Sequence, residues 1–235
     1  MTLLTICNNV VDQVGTDELG TVVGNSERSA RRLLALANRG GKLMAQRRWS
    51  VLTKEATITT ANGTAAYAVE SDFKYIVSDT AWDRTNYWKM RGGLSPKEWQ
   101  VRKSAIVATT QVRKTFRIKP TSNAKQIYVD PTPTAVETLV YEYGSSFWCQ
   151  SAGGVGQAAW TADTDTGILD EDLLELDLLW RYRSVIGLPY IDERRDAEMA
   201  IDTAFAQDGG PRMLTTPDDS MLWPINLPES SSDSV

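Results

Sequence analysis

The chain has 235 residues, 42% apolar and 23% charged, with a net charge of −5. That length buries a sizeable core and accommodates one domain or two. General attraction to nucleic acid is not expected of an acidic chain. The absence of histidine removes the commonest general base and metal ligand together. The two cysteines, Cys7 and Cys149, lie outside any metal-ligand spacing, so no metal or cofactor is expected. The first residues lack the charged and apolar regions of a signal peptide, and no apolar run approaches membrane-spanning length.

Thr2–Val14 reads as a short amphipathic helix. Leu3, Ile6, Cys7, Val10 and Val14 share a face, and Gly15 stops it. After a Gly-rich connection, Ser26–Trp49 reads as one long helix, the element around which the rest is organised. At about 100° per residue, Ala30, Leu33, Ala37, Gly40, Gly41 and Met44 gather on one side. Arg28, Arg31, Arg32, Arg39 and Lys42 gather on the other, and no acid lies between Arg28 and Lys54. Ser26 is the expected N-cap. The Gly40-Gly41 pair allows another helix close approach, at a cost in helix propensity and with room for a kink.

From Glu55 the period changes to two. Glu55–Thr60 and Ala65–Val69 flank Asn62-Gly63, a hairpin signal. Further strands are expected at Phe73–Ser78, Thr115–Lys119, Gln126–Val129 and Thr138–Phe147, with Asp130-Pro-Thr-Pro133 as a turn. Ala81–Arg91 is dense in aromatics and charges and reads as β-domain packing. Ser95-Pro-Lys-Glu98 is a capping box with proline at the first helical position, opening a helix to about Ser104.

A second long helix is expected from Asp170 to Ile186. Asp170, Glu171 and Asp172 suit the positive end of its dipole. Leu169, Leu173, Leu176 and Trp180 form one stripe, and Leu174, Leu178 and Val185 a second, so it should be buried on two sides. A last helix spans Asp192–Gln207, and Gly209-Gly-Pro211 breaks it. The tail, 209–235, is rich in Pro, Ser and Asp yet carries Met221, Leu222, Trp223, Pro224, Ile225 and Leu227. Such a segment does not fold alone, and a partner is expected to order it. The expected fold is α+β: helices of 1–54 and 151–208 form one bundle, 55–150 form an antiparallel β domain with one short helix, and 209–235 extend to a partner.

Signatures of chemistry are weak. Asp163-Thr-Asp-Thr-Gly167 has its glycine one place too early for a calcium loop, and Leu174 stands where the bidentate acid belongs. Gly40-Gly41-Lys42 lacks the spacing of a P-loop, and Gly153-Gly-Val-Gly156 opens no helix after a strand. Asp79, Asp83, Asp163 and Asp165 are the candidate acids if the chain is a carboxylate-dependent hydrolase. The cationic stripe has three readings: a solvated face or ion pairs to Asp170, Glu171, Glu175 and Asp177 within the bundle, the same pairs made to a neighbouring subunit, or phosphate contacts with DNA.

Several segments, taken in order, carry a resemblance. They are Thr2-Leu-Leu-Thr-Ile-Cys7, Ala30–Thr53 with its Arg-Arg-Trp49, and Asp79-Thr-Ala-Trp-Asp-Arg84. Leu94-Ser-Pro-Lys-Glu-Trp99 follows, then Asp130-Pro-Thr-Pro133 with Leu139-Val-Tyr-Glu-Tyr143, and Trp160–Trp180. Together they resemble head-to-tail adaptor (connector) proteins of tailed bacteriophages over most of 1–208. The resemblance implies a non-enzymatic structural protein of the virion, assembled in the host cytoplasm. It implies a ring, twelve copies on the family's precedent, beneath the portal protein, extending the channel through which double-stranded DNA passes. Tail or nozzle proteins would dock on it, and the C-terminal segment would clamp the portal. A virion-associated hydrolase and a tail-side terminator or tube protein are the alternatives.

Overall fold

The computed structural model describes residues 1–104, 113–122 and 124–209. Its elements run α1 (Leu3–Val14), α2 (Arg28–Met44), β1 (Thr53–Thr59), β2 (Ala66–Ala68), β3 (Phe73–Ile76), β4 (Trp82–Asp83), β5 (Trp88–Lys89) and α3 (Pro96–Ser104). Then follow β6 (Thr115–Pro120), β7 (Lys125–Asp130), β8 (Thr138–Ser145), β9 (Cys149–Gln150), β10 (Gly156–Gln157), β11 (Thr166–Gly167), α4 (Glu171–Ile186) and α5 (Ile191–Asp208). The fold is α+β, as the change of period from 3.6 to 2 and back requires.

Four helices form the body. α4 is central and packs against α1, α2 and α5. Its Leu173, Leu174, Leu178, Leu179 and Tyr182 are buried, whereas Val185, expected in a buried stripe, is 45% exposed near the helix end. α1 contributes Leu3, Ile6, Cys7, Val10 and Val11, each worth about 2 kcal/mol when fully buried. Thr2 caps α1 through the amide of Thr5, and Gly15 closes it at φ +75°. Burial, then the charge of Asp163, pushes the Cys7 thiol up to about 12; Cys149 is pushed as far by burial and Asp165. Both behave as core residues rather than nucleophiles.

α2 buries Ala30, Leu33, Ala37, Gly40, Gly41 and Met44, the face its periodicity predicts. It is shorter than expected at both ends. Ser26 does not cap it: Glu27 is the N-cap residue without a side-chain bond, and Asn25 accepts from the Glu27 amide instead. At the other end the Trp49 indole donates to Met44 O (2.9 Å), which turns the chain into a short 3-10 segment, Ser50–Leu52. The helix is continuous through Gly40-Gly41. Both glycines are needed because side chains stand where their Cβ atoms would be: a Cβ on Gly40 would lie 2.1 Å from Asp177 Oδ2, and one on Gly41 2.3 Å from the Trp148 ring.

The β unit has two antiparallel sheets around their own core of Ile58, Phe73, Met90, Phe116, Ile127, Val129, Leu139 and Tyr141. In one, β8 is the spine. β1 pairs with it along Thr53–Thr59, and β3 and β4 pair with its other edge. In the other the order is β2-β7-β6. The expected hairpin across Asn62-Gly63 is therefore corrected. The turn exists, with Gly63 at φ +76° and the Thr64 amide on Ala61 O, but β1 leaves it for β8 and β2 for β7. The Tyr67 hydroxyl clamps the turn, accepting from the Ala61 amide and donating to Thr64 O (2.6 Å). The capping box forms as read: the Ser95 amide donates to Glu98, and the Glu98 amide to Ser95 Oγ. A third small sheet, β10-β9-β11, was not anticipated; its central strand continues from Trp148, which lies in the helical core.

Asp72, just before β3, ties β1 to the end of β8. Only 7% of its side chain is exposed, and it accepts from Lys54 Nζ (2.8 Å), Tyr143 (2.9 Å) and Ser145 (2.7 Å). Burial raises its affinity for a proton, but these three bonds outweigh burial and hold the carboxyl below its ordinary range. Its contribution to stability is therefore full above the unfolded carboxyl value and is lost as pH falls below it through the lower folded value. Asp72→Asn should cost about 2 kcal/mol at pH 7. In urea titrations the gap between variant and parent should hold down to about pH 4 and narrow only below it.

Candidate functional site

The side of α2 away from α4 carries Arg28, Arg31, Arg32, Arg39 and Lys42 within an arc of about 100° and over about 21 Å of axis. All are exposed except Arg32, which is half-buried. The geometry has a simple cause: the opposite face is filled by small and apolar residues against α4, so the long cationic side chains face out. Among the described residues none of the five makes an ion pair, whereas neighbouring Arg47 pairs with Asp202 (2.6 Å).

The acids expected to answer them are occupied elsewhere. Asp170 caps α4 through the Asp172 amide (3.0 Å). Glu171 pairs with the Met1 amino group. Glu175 accepts from Asn9 (2.7 Å) and Gln13 (3.0 Å), fastening α1 to α4. Asp177 takes both Arg181 contacts (2.7 and 3.0 Å) and the Trp180 indole. Ion pairs between the cationic stripe and α4 within one chain, one of the readings of the sequence, are not made. The two charge sets are close in the bundle yet do not meet, because α2 turns its glycines rather than its arginines toward Asp177.

The candidate catalytic acids serve the fold. Asp163 accepts from the Val22 and Val23 amides (3.0 and 2.8 Å), and Asp165 from those of Thr161 and Ala162 (2.7 and 2.9 Å). Asp79 pairs with Lys89 at 3.0 Å. Asp83 holds the Thr85 and Asn86 amides and meets Lys114 Nζ at 2.5 Å. Burial raises its proton affinity, but the bonds from Asn86 and Lys114 win and hold the carboxyl low. Among the described residues no group of three or more His, Cys, Asp or Glu could hold a metal ion, and no helix is long and apolar enough to cross a membrane. Met221, Leu222, Trp223, Pro224, Ile225 and Leu227 lie outside the described residues.

Two features escaped the sequence reading. One is Lys114, buried between Asp83 and Glu137. The other is a groove where α5 ends, lined by Trp49, Val51, Ile168, Leu173 and Ala204. Neither has a periodic signature, since the partners come from distant parts of the chain.

A helical body with a β unit, Glu171, Glu175 and Asp177 of its central helix engaged internally and one cationic face left unmatched, is the design of a protein that works through its surfaces. Residues 1–209 match the family model described as SU10 adaptor protein. The chain belongs to that family and is a structural adaptor protein of the bacteriophage type. The match ends where α5 ends and leaves out the tail. A search of curated proteins finds no match.

Proposed function

We propose that this protein assembles into a closed ring, twelve copies on the precedent of connector proteins. The ring joins the portal of the phage head to the tail and extends the DNA channel. It sits in the virion at the head–tail junction, binds the portal protein through Met221–Leu227, and offers its β unit to tail or nozzle proteins. A ring requires two unlike surfaces on each subunit that close on themselves. The apolar tail, carried beyond the last helix, suits groove docking or strand addition on a portal subunit.

The observation that carries this reading is the cationic face of α2. In a chain of net charge −5, five adjacent cations stand without an acid partner among the described residues, while Glu171, Glu175 and Asp177 are already held. Their natural counterpart is a polyanion outside the chain. Phosphates of passing DNA fit, since contacts to the backbone carry no sequence information. The remaining negative charge keeps the channel from gripping what it must release.

Changing Arg31, Arg32 and Arg39 together to Glu tests the assignment. Ring mass should be unchanged in native mass spectrometry, and filled heads bearing the variant should retain less DNA. Collapse of the ring to monomers would instead place α2 in the subunit interface.

A further inference from the structure

One row of strand in the β unit is incomplete. β3 and β4 share an edge of β8, β3 against Tyr143–Ser145 and β4 against Leu139 and Val140. β5 pairs with the outside of β4, and its row continues through Met90, whose amide donates to Ala81 O (2.9 Å), to Arg91. Arg91 meets β6 in parallel: its amide donates to Lys114 O (3.1 Å), and its carbonyl accepts from the Phe116 amide (3.0 Å). The row stops there. Gly92, where the Phe116 ring leaves no room for a Cβ, and Gly93, at φ +73°, lead on toward α3.

Beyond Arg91, β3 and β6 are left bordering a slot. Ile76, Val77, Arg91, Thr115 and Phe116 line its near part, about 660 Å3, and Phe73–Ile76, Ile118 and Pro120 its far part, about 350 Å3; Ile76 belongs to both. Among the described strands β3 pairs only with β8 and β6 only with β7. Strand bonds alternate between edges, so Ile118 turns its amide and carbonyl to the same side as Phe116. The lining is one-sided in charge. Lys74, Lys89, Arg91, Arg102, Arg113 and Lys125 border the slot against one acid, Asp79, which Lys89 already holds at 3.0 Å. Arg102 lies 3.4 Å from Asp130. Lys74 and Lys125 donate to backbone carbonyls and Arg113 stacks over Trp88, so these three and Arg91 make no ion pair among the described residues.

We propose that this slot accepts an extended acidic segment of another protein, added as a strand that continues the row of β5. Main-chain bonds to the Ile118 edge hold it. Side chains of a strand alternate, so its apolar ones enter the floor of Ile76, Met90 and Phe116, and its carboxylates reach Arg91 and Arg113 at the rim. Charge selects this occupant, and strand edges around an apolar floor suit a peptide better than a phosphate backbone. The inference rests on the reading that the β unit takes tail or nozzle proteins, and gives that reading a surface and a chemistry.

Fluorescence anisotropy on the full-length protein tests it, with a labelled peptide of alternating Glu and Val as probe. The peptide should bind and should protect the Ile118 amide from hydrogen exchange. Arg91→Gln with Arg113→Gln should weaken binding about tenfold, as the loss of two exposed pairs allows, with the urea midpoint unchanged. Methylating the Val amides of the peptide should weaken it at least as much, and Arg31→Gln with Arg39→Gln on α2 should leave it unchanged. No binding, binding indifferent to Arg91 and Arg113, or binding without protection of Ile118 would each overturn the proposal. So would tighter binding of labelled oligothymidine that the same two changes weaken, which would make the slot a nucleic-acid site. Loss of oligomer mass on those changes would give the slot to a second copy of the chain, and also overturn it. Particles bearing the variant that attach tails normally, with the peptide results intact, would overturn the tail reading alone.

Discussion

Lys114→Met should destabilise the β unit by about 3–5 kcal/mol. Lys114 is 8% exposed and sits between Asp83 (2%) at 2.5 Å and Glu137 (15%) at 2.9 Å. It precedes β6, whereas Asp83 belongs to β4 and Glu137 precedes β8, so one ammonium ties the two sheets together. Burial lowers the proton affinity of Lys114, but the bonds and charges of Asp83 and Glu137 more than reverse this. Its contribution is therefore complete below the ordinary lysine value and is lost only as pH rises beyond it. Removing the ammonium leaves two facing carboxylates without a counter-charge. A shifted urea midpoint at pH 7 is the readout. Asp83→Asn added to the variant should recover part of the loss, because it removes one of the stranded charges. Additive costs in that double-mutant cycle would show that the three groups do not act as a unit.

The second large effect is steric. Gly41→Ala should cost the helical body about 3 kcal/mol, at the upper end for overpacking. The new methyl would stand 2.3 Å from the Trp148 ring. That ring cannot retreat: it is 1% exposed, its indole donates to Ala158 O at 2.9 Å, and Trp160 meets it edge-on at 5.1 Å. Alanine ordinarily favours a helix over glycine by about 1 kcal/mol, so the expected sign is opposite to propensity. Trp148→Leu in the Gly41→Ala background should recover part of the loss by opening the space. Gly153→Ala, whose nearest neighbour is Ser151 Oγ at 3.8 Å, should stay within about 0.5 kcal/mol of the parent. Thermal unfolding of the three variants decides the matter.

The sequence was most legible where one face of one element carries the information. The buried face of α2, the capping box of α3 and the start and stop of α4 follow from spacing and local bonding and stand where they were read, and on α1 the one change is that Val11 is buried where Val14 was expected. Asn62-Gly63 shows the limit of local chemistry. It specifies a reversal, and the reversal is there, but which strands pair depends on which partner offers the longer ladder, and β8 and β7 win. Charge was harder still. The five cations of α2 were visible, and the Asp177–Arg181 pair is a local i,i+4 contact, but that Glu171 and Glu175 would be taken by Met1, Asn9 and Gln13 depends on contacts between distant segments. Buried Asp72 and Lys114 were illegible for the same reason: their partners lie up to 73 and 31 positions away, respectively.

On the proposed function, this chain acts as a ring bound to the portal. Its most direct test is the mass of the purified full-length protein, alone and with portal, beside a chain ending at Gly209. The expected result is one closed oligomer of full-length chain that co-sediments with portal, and a truncated chain that folds but does not join it. A compact monomer with no affinity for portal, or a truncated chain that binds as well as the full one, would contradict it.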